Sequence, residues 1–392
     1  MLRLLTAGES HGPALTVILD GIPAGLPLSA DVIDRELARR QQGYGSGARM
    51  KIEHDRVQIV GGVLGGETTG APIGLVIPNL DHDRWKNAAI APMTRPRPGH
   101  ADLTGAVKYG YRELRPASER ASARETAARV AAGAVCKHLL SAFDVRIGGY
   151  VVAIGDVVAD VRDVSYDELL ARANDSPVRC PDATAADAMQ EAIERATRAK
   201  DTLGGEIEVL ALRVPIGLGS FAQWDARLDA RLARAVMSVQ AIKGVAIGDA
   251  FANARLPGTQ AHDPITLDSS RRVVERPTNR AGGIEGGISN GSPIVVRAAM
   301  KPIATTLTPQ ATVDLVSTQE TTTTYERSDF CPVPRAVPIL EAMVALVLAD
   351  ALVAKLGGDS LQEMLPRFAA LRRATLDDLP MNDTPRVLWD GE

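Results

Sequence analysis

Apolar residues recur along the chain at two spacings, and together they predict a mixed fold. Short apolar runs rich in β-branched residues predict strands, and apolar positions three and four residues apart predict helices. Alternation of charged and apolar residues over 206–214 favours an antiparallel sheet. The strands are predicted at 14–20, 57–63, 73–78, 145–157, 206–215 and 293–300, and the helices at 29–41, 122–143, 183–200, 225–242 and 338–356.

Two predicted helices have features that indicate how they pack. The helix predicted at 29–41 begins with Ser29 as its cap, and serine commonly caps a helix N-terminus. One face of the helix at 122–143 is lined by small or β-branched residues, which permit close packing against another element. These residues are Ala127, Val130, Ala131, Ala134 and Val135.

The longest apolar run, at 342–354, is interrupted by Asp350. It is shorter than the roughly 20 residues that cross a bilayer, so we interpret it as a buried helix. No basic N-terminal region is followed by a long apolar stretch, and we therefore expect neither a signal peptide nor a membrane partner. The polar stretch 158–200 carries no recognisable motif, and we interpret it as a surface elaboration.

Composition narrows the function classes. The 392 residues are 45% hydrophobic, which suits a globular chain with a large core. A formal charge of -4 and an aromatic content of 4% argue against a nucleic-acid partner. The cysteines, Cys136, Cys180 and Cys331, are too few and too dispersed for a disulfide framework, which favours a cytoplasmic protein.

Glycine and arginine cluster together in several loops. Glycine-rich backbone can bind anions, but neither a GxGxxG nor a GxxxxGK[ST] motif is present, and on the glycines alone tight turns between strands are the better explanation. Arginine beside such turns suits phosphate and carboxylate, which favours a small polyanionic ligand. The arginines concerned are Arg39, Arg40, Arg49, Arg95, Arg97, Arg120, Arg124 and Arg327.

Two of the histidines lie in glycine- and proline-rich loops. His11 in "GESHG" and His100 in "RPRPGHAD" are candidates for proton transfer near a bound phosphate. We interpret His138 as structural, His54 and His82 as surface residues, and leave His262 undecided. The histidines and acidic residues show no zinc-ligand spacing such as HExxH, so we expect no metal.

Nine short motifs occur in an order and spacing that resemble chorismate synthase. Each alone is weak, but nine in order are specific, and they extend from residue 1 to about 356. They are "GESHG", "RRQQGYGSGARMKIEHD", "TRPRPGHAD", "ERASARETAARVAAGA", "DTLGG", "MSVQAIKGVAIGDAF", "TNRAGGIEGGISNG", "AAMKPIATT" and "RSD".

The resemblance implies a reaction and a cofactor. The reaction is the anti-1,4-elimination of phosphate from 5-enolpyruvylshikimate 3-phosphate to give chorismate, with reduced FMN required although no net redox change occurs. A substrate with one phosphate and two carboxylates agrees with clustered arginines in a chain of negative net charge. No segment resembles a nicotinamide-binding domain, so the reduced flavin is expected from an external source.

The resemblance also assigns roles to residues. His11 is similar to the family's proton donor to the reduced flavin, with Ser10 as a candidate relay, and His100 to the acid that serves the departing phosphate. Asp329 is similar to the family's acid near flavin N5. The flavin-binding positions are Arg120, Ala121, Ser122, Gln240, Ala241, Gly286, Lys301, Pro302, Ile303, Ala304, Thr305 and Arg327.

For substrate binding, the resemblance assigns Arg40 and Arg49 together with His11. Ser46 occupies a position that is commonly arginine in the family, and the chain therefore lacks one charged contact there. We leave open whether Ser46 faces the phosphate or solvent.

The fold implied by the resemblance is a single α/β domain at 1–356, with a helical layer sandwiched between antiparallel sheets, assembled as a homotetramer. The tail at 357–392 either packs on a neighbour or stays mobile. Two other functions stay open at this point: another phosphate-handling flavoprotein, and a diverged protein that binds FMN without turnover.

Overall fold

In the computed structural model, which describes residues 1–45, 54–326 and 329–389, each of the strands pairs antiparallel with its neighbours. The strands are β1 (Arg3–Ala7), β2 (Ala14–Asp20), β3 (Gln58–Gly61), β4 (Val63–Leu64), β5 (Glu67–Thr68), β6 (Ile73–Pro78), β7 (Arg146–Ile154), β8 (Val157–Val158), β9 (Gly205–Leu212), β10 (Ile242–Ile247), β11 (Thr266–Asp268), β12 (Val273–Glu275), β13 (Ile284–Glu285), β14 (Ile288–Ser289), β15 (Ile294–Met300), β16 (Ala311–Asp314) and β17 (Gln319–Thr322).

The helices alternate with these strands along the chain. They are α1 (Ala30–Gln41), α2 (His82–Trp85), α3 (Asp102–Tyr109), α4 (Arg115–Ala121), α5 (Thr126–Ser141), α6 (Tyr166–Asp175), α7 (Ala183–Arg198), α8 (Leu228–Met237), α9 (Ala250–Asn253), α10 (Gly258–Ala261), α11 (Val333–Leu356) and α12 (Leu361–Ala369), with 3-10 turns at Ala123–Glu125 and Trp224–Ala226.

Two sheets enclose the central helices. The first has the strand order β1-β2-β6-β3 and the second β10-β15-β9-β7-β8. Helix α5 packs on β2 of the first sheet and on α11, and α11 packs on β7 and β9 of the second. Helices α1 and α8 complete this layer against α5 and α11. The helical layer between antiparallel sheets is therefore confirmed.

Helices α5 and α11 approach each other closely. A Cβ added at Gly133 would lie 2.2 Å from Cβ of Ala342, so only glycine permits this approach. The predicted small-residue face of α5 is also buried. By length and composition α11 could cross a membrane, but most of it is buried inside the protein, so its interpretation as a buried helix is confirmed.

A buried charge joins helices α1, α5 and α11. Glu341 of α11 is fully buried and accepts hydrogen bonds from Arg39 of α1 at 2.7 and 3.0 Å and from Lys137 of α5 at 2.8 Å. Burial raises the pKa of Glu341, but the charges and hydrogen bonds of Lys137 and Arg39 together lower it below its usual value. Removing either cation would leave the buried carboxylate with a single counter-charge, at a cost in stability.

Several predicted boundaries differ from the structure. The predicted strand at 145–157 is two strands, β7 and β8, because Gly155 turns the chain with a φ of 59°. The predicted helix at 225–242 ends at Met237, and the chain continues as β10. Helix α11 begins at Val333, earlier than predicted, because proline is tolerated in a first helical turn.

The stretch 158–200 contains α6 and α7. Leu169 and Leu170 of α6 are buried against Tyr150 and Leu210 on the outer face of the second sheet. The segment therefore covers part of that sheet, and its buried Arg179 donates to the Arg39 carbonyl oxygen at 2.8 Å.

Candidate active site

The turn between β1 and β2 presents Ser10 and His11. Gly8 begins it with a φ of 111°, and a Cβ there would lie 2.4 Å from the carbonyl oxygen of Ala14. Asn79, just after β6, donates from Nδ2 to the carbonyl oxygens of Glu9 at 3.2 Å and Gly12 at 2.7 Å. A neighbouring strand thus fixes the shape of the turn.

His11 is bound on three sides. Its Nδ1 lies 2.7 Å from Oε1 of Glu119 on α4, and its backbone N–H donates to Oε2 of the same carboxylate at 2.8 Å. The ring stacks on Trp85 with a centroid separation of 3.9 Å. Nδ1 of His82 lies 2.9 Å from the His11 carbonyl oxygen. His82, interpreted from sequence as a surface residue, therefore contacts the site.

Glu119 stays ionised beside this histidine. Burial raises the pKa of Glu119, but the hydrogen bonds and charge of His11 together lower it below its usual value. A carboxylate only accepts hydrogen bonds, so Nδ1 of His11 carries the proton in this contact.

His100 forms a second pair of the same kind. Its Nδ1 lies 2.6 Å from Oδ1 of Asp102, the first residue of α3. Arg97 donates to both oxygens of that carboxylate, from Nε to Oδ2 at 2.8 Å and from Nη2 to Oδ1 at 2.9 Å. Burial raises the pKa of Asp102, but the hydrogen bonds and charges of Arg97 and His100 lower it well below its usual range.

Helix α4 connects the two histidine sites. Nη2 of Arg97 donates to Oγ of Ser118 at 2.7 Å, and the next residue, Glu119, binds His11. Two adjacent residues of one helix thus hold both loops. The loops that carry the two histidines singled out by the sequence are therefore joined through α4.

Ser10 lies at the same junction. Its backbone N–H donates to the Glu119 carbonyl oxygen at 3.3 Å, and Oγ of Ser122 lies 3.1 Å from its own Oγ. Ser122 follows α4 and precedes the 3-10 turn. The hydroxyl groups of Ser10 and Ser122 thus form a short polar path beside His11.

Several predicted flavin positions lie around β1 and α5. Arg120 donates to the Thr6 carbonyl oxygen at 2.9 Å. Glu125 accepts hydrogen bonds from Thr6 Oγ1 at 2.8 Å and from Gln240 Nε2 at 3.2 Å. Within residues 1–45, 54–326 and 329–389, Oε1 of Gln240 is buried without a hydrogen-bond partner.

The loop 301–305 joins this region to the His100 site. The backbone N–H of Lys301 donates to the Ala241 carbonyl oxygen at 2.9 Å, and Nη1 of Arg97 lies 3.4 Å from Oγ1 of Thr305. Burial and the nearby charge of Lys243 lower the pKa of Lys301. Two cations close together favour an anionic ligand between them.

Other predicted residues lie apart from this junction. Gly286 forms the β13–β14 turn at the N-terminal end of α8, whereas Gln240 follows its C-terminal end, a separation of about 15 Å along the helix. Asp329 pairs with Arg335 near the start of α11, and Nε of Arg335 lies 3.3 Å from the Arg40 carbonyl oxygen.

The Arg40 side chain is buried. Its guanidinium donates to Thr126 Oγ1 and to the Ala123 carbonyl oxygen, each at 3.0 Å, and pairs with Asp55 at 3.6 Å. Asp55 also binds Arg124 at 2.6 Å. Ser46, Arg49 and Arg327 lie outside the described residues.

Sequence reasoning missed the carboxylates that orient the histidines. Asp102 stands two residues after His100, and Glu119 opens the "ERASARET" motif, so both were within motifs already singled out. Trp85 and Asn79 lie in segments without a motif. Only tertiary contact relates them to His11.

Comparisons with known proteins identify the family. The family model "Chorismate synthase" matches residues 2–353. Chorismate synthase of Pelobacter propionicus is 52% identical over 379 residues, covering 93% of this chain and 96% of the relative. That of Aquifex aeolicus is 51% identical over 384 residues, covering 94% and 96%. The chain belongs to the chorismate synthase family.

A solved structure agrees with this. A crystal structure of chorismate synthase superposes with a TM-score of 0.78 at 45% identity, covering 94% of this chain and 96% of that one. Chorismate synthases are carbon–oxygen lyases of the shikimate pathway, and this function in aromatic biosynthesis is supported for the chain over both alternatives left open by the sequence.

Proposed function

We propose that the chain converts 5-enolpyruvylshikimate 3-phosphate to chorismate and phosphate by anti-1,4-elimination. The carbon–oxygen bond to the phosphate breaks, and a proton leaves C6 on the other side of the ring. Two histidines, each joined through Nδ1 to an ionised carboxylate and both anchored to α4, carry this proposal.

His100 is proposed to give a proton to the departing phosphate. Two cations lie close by: Arg97 of the same loop is 3.1 Å from His100 Nδ1, and a Cβ added at Gly99 would lie 3.4 Å from Lys301 Nζ. Positive charge there stabilises negative charge that develops on the leaving group. Asp329 is proposed as the final acceptor of the C6 proton.

His11 is proposed to hold and exchange a proton, with Ser10 as the relay. The contact of 3.1 Å between the hydroxyls of Ser10 and Ser122 supports a proton path. Stacking on Trp85 and burial leave the His11 side chain 22% exposed, which limits exchange with bulk water.

Reduced FMN is the proposed cofactor, and when bound it supplies electron density to the substrate and takes it back. The residues proposed to hold it are those assigned by the resemblance. The buried, unpartnered Oε1 of Gln240 fits a ligand N–H donor, and the Lys301–Lys243 pair fits a phosphate.

Arg40, Arg49 and Ser46 are proposed to bind the substrate. Because the buried guanidinium of Arg40 already binds Thr126 and Ala123 and pairs with Asp55, its proposed contribution to substrate binding is electrostatic. We also propose a homotetrameric, cytoplasmic enzyme with residues 1–356 as the catalytic domain, 357–392 as a tail, and an external source of reduced flavin.

An anaerobic assay tests the proposed reaction. Purified protein, the phosphorylated substrate and chemically reduced FMN should release phosphate and chorismate in equal amounts, and oxidised FMN alone should support neither. Binding of FMN without phosphate release would contradict the proposal and indicate a diverged binding protein. Rapid turnover in air with NADPH and oxidised FMN, without added reductase, would contradict the external source.

A further inference from the structure

The contacts around His100 restrict where its proton can lie. Asp102 is fully buried, and both of its oxygens accept hydrogen bonds from Arg97. The two hydrogens of Arg97 Nη2 are donated to Asp102 Oδ1 at 2.9 Å and to Ser118 Oγ at 2.7 Å, so its contact of 3.1 Å with His100 Nδ1 does not make that nitrogen an acceptor. A nitrogen 2.6 Å from an ionised carboxylate oxygen must carry the hydrogen.

The second ring nitrogen has a different environment. Within the described residues, Nε2 of His100 has no protein hydrogen bond, and the side chain remains 20% exposed. The charged groups on and around this loop are Arg95 and Arg97 of the loop itself, Lys301 of the loop after β15, Asp102 of α3 and Asp314 of β16. Asp314 pairs with Arg95, and Asp102 is the counter-charge that contacts His100.

We propose that Asp102 is a positioning residue that holds His100 with its hydrogen on Nδ1, which leaves Nε2 as the atom that exchanges a proton with the departing phosphate. The identity of that acceptor rests on the proposed function, whereas the tautomer does not. Arg97 supports the arrangement by occupying both oxygens of Asp102, so the carboxylate can neither rotate away nor take up the proton itself.

A purely structural role for Asp102 is the alternative. As the first residue of α3, bonded to the backbone N–H of Arg97 at 3.1 Å, it also anchors a loop. Asp314 offers a matched carboxylate that anchors the same loop without a histidine. Its Oδ2 binds Arg95 at 3.1 Å, and its Oδ1 accepts from the backbone N–H of Val316 at 3.0 Å. Asp314→Asn is therefore the control.

Solid-state nuclear magnetic resonance of the sedimented full-length protein, labelled with 15N-histidine, reads the tautomer directly. His100 is assigned by the signal lost in His100→Gln. At pH 8 the wild type should show a protonated Nδ1 and an unprotonated Nε2. Asp102→Asn should shift the ring toward the Nε2-protonated form and lower kcat by about 10²-fold or more, as loss of an orienting carboxylate does elsewhere. Asp314→Asn should leave the tautomer unchanged.

Two outcomes would overturn the inference. One is a wild-type His100 that carries its proton on Nε2, a result that needs no variant and so does not depend on whether Asp102→Asn folds. The other is an unchanged tautomer in a folded Asp102→Asn protein. If the tautomer shifts while phosphate release keeps its rate, the positioning role of Asp102 stands, and the proposed acid role of His100 fails.

Discussion

The His11 and His100 sites use the same pair of groups but support it differently. Each histidine binds a carboxylate oxygen through Nδ1, at 2.7 Å to Glu119 and 2.6 Å to Asp102. The Asp102 side chain is 0% exposed and both oxygens bind Arg97, whereas that of Glu119 is 14% exposed and its second oxygen binds the backbone of His11 itself.

Because of this difference, the carboxylate at the His100 site keeps most of its hydrogen bonds without the histidine, whereas the carboxylate at the His11 site depends on it. Asp102 keeps its main partner, Arg97, when His100 is removed. Glu119 loses one of its two bonds to His11 when the imidazole is removed, and Trp85 loses its stacking partner. Equal proton-transfer roles therefore predict unequal structural consequences.

The largest expected effect comes from removing each imidazole. His100→Ala and His11→Ala should each lower kcat by about 10²- to 10⁴-fold, because general acid catalysis contributes that much. The two variants should differ in stability. His11→Ala should lower the free energy of unfolding by roughly 1–3 kcal/mol, because Glu119 loses its partner, and His100→Ala should lower it clearly less. Single-turnover rates and urea unfolding measure both.

A contrary result would be informative for each site. Weak FMN binding with normal turnover at saturating FMN would show that the residue is structural. Equal losses of stability in the two variants would remove the distinction between the sites.

Acid sensitivity should separate the carboxylates next. Folding lowers the pKa of Asp102 below the pKa of an aspartate in the unfolded chain, which is about 3.9. The ionised carboxylate therefore stabilises the folded protein at pH values above about 3.9, and this stabilisation is lost progressively as the pH falls below that value. The stability difference between wild type and Asp102→Asn should therefore shrink by about 1.4 kcal/mol per pH unit between pH 4 and pH 2.

Urea unfolding of both proteins at several pH values measures this difference. The corresponding difference for Glu119→Gln should change less, because Glu119 is partly exposed to water. A difference for Asp102 that does not depend on pH in this window would show that its pKa is not lowered by folding.

Sequence patterns predicted much of the fold, because the buried residues of a helix or strand recur at a regular spacing within that element. Strand β2 and the helix α1 have the predicted positions to within one residue, since apolar spacing and turn residues mark their ends. Strand β1 was missed, because its five residues "RLLTA" are too short and too mixed for a periodic signal. Strand β10 was missed because its start continued a helical pattern.

The same limit applies to the candidate site: features within a short segment could be predicted, and contacts between distant segments could not. His11 and His100 stood out because histidine in a glycine-rich loop is visible in the sequence alone. Glu119, distant in sequence from His11, became its partner only through the packing of α4 against the β1–β2 turn. Charged pairs of this kind have no local signature, so their roles follow from tertiary contact.

Replacing the partner of His11 should have an intermediate effect. Glu119→Gln removes a charge but keeps an oxygen that can accept the backbone N–H of His11, so the turn should hold its shape. A hydrogen bond to a charged group contributes about 1.5–3 kcal/mol, which corresponds to a decrease in kcat of roughly 10- to 10²-fold. A loss as large as that of His11→Ala would show that Glu119 does more than orient the ring.

The smallest expected effect concerns Trp85, which has no counterpart at His100 within the described residues. Its ring lies 3.9 Å from the imidazole of His11, and an aromatic pair contributes about 0.5–1.5 kcal/mol beyond its buried area. Trp85→Leu should therefore lower kcat about 2- to 10-fold, and Trp85→Phe should restore most of it, because a smaller aromatic ring can still stack.

The other tryptophans, Trp224 and Trp389, are 79% and 84% exposed, so loss of the blue-shifted part of the tryptophan emission should accompany both substitutions. His100 should keep its tautomer in both variants, since no described contact joins Trp85 to Asp102 or Arg97. Equal activity of Trp85→Leu and wild type would show that Glu119 and the turn alone hold His11, and the two histidine sites would then differ only in the burial of their carboxylates.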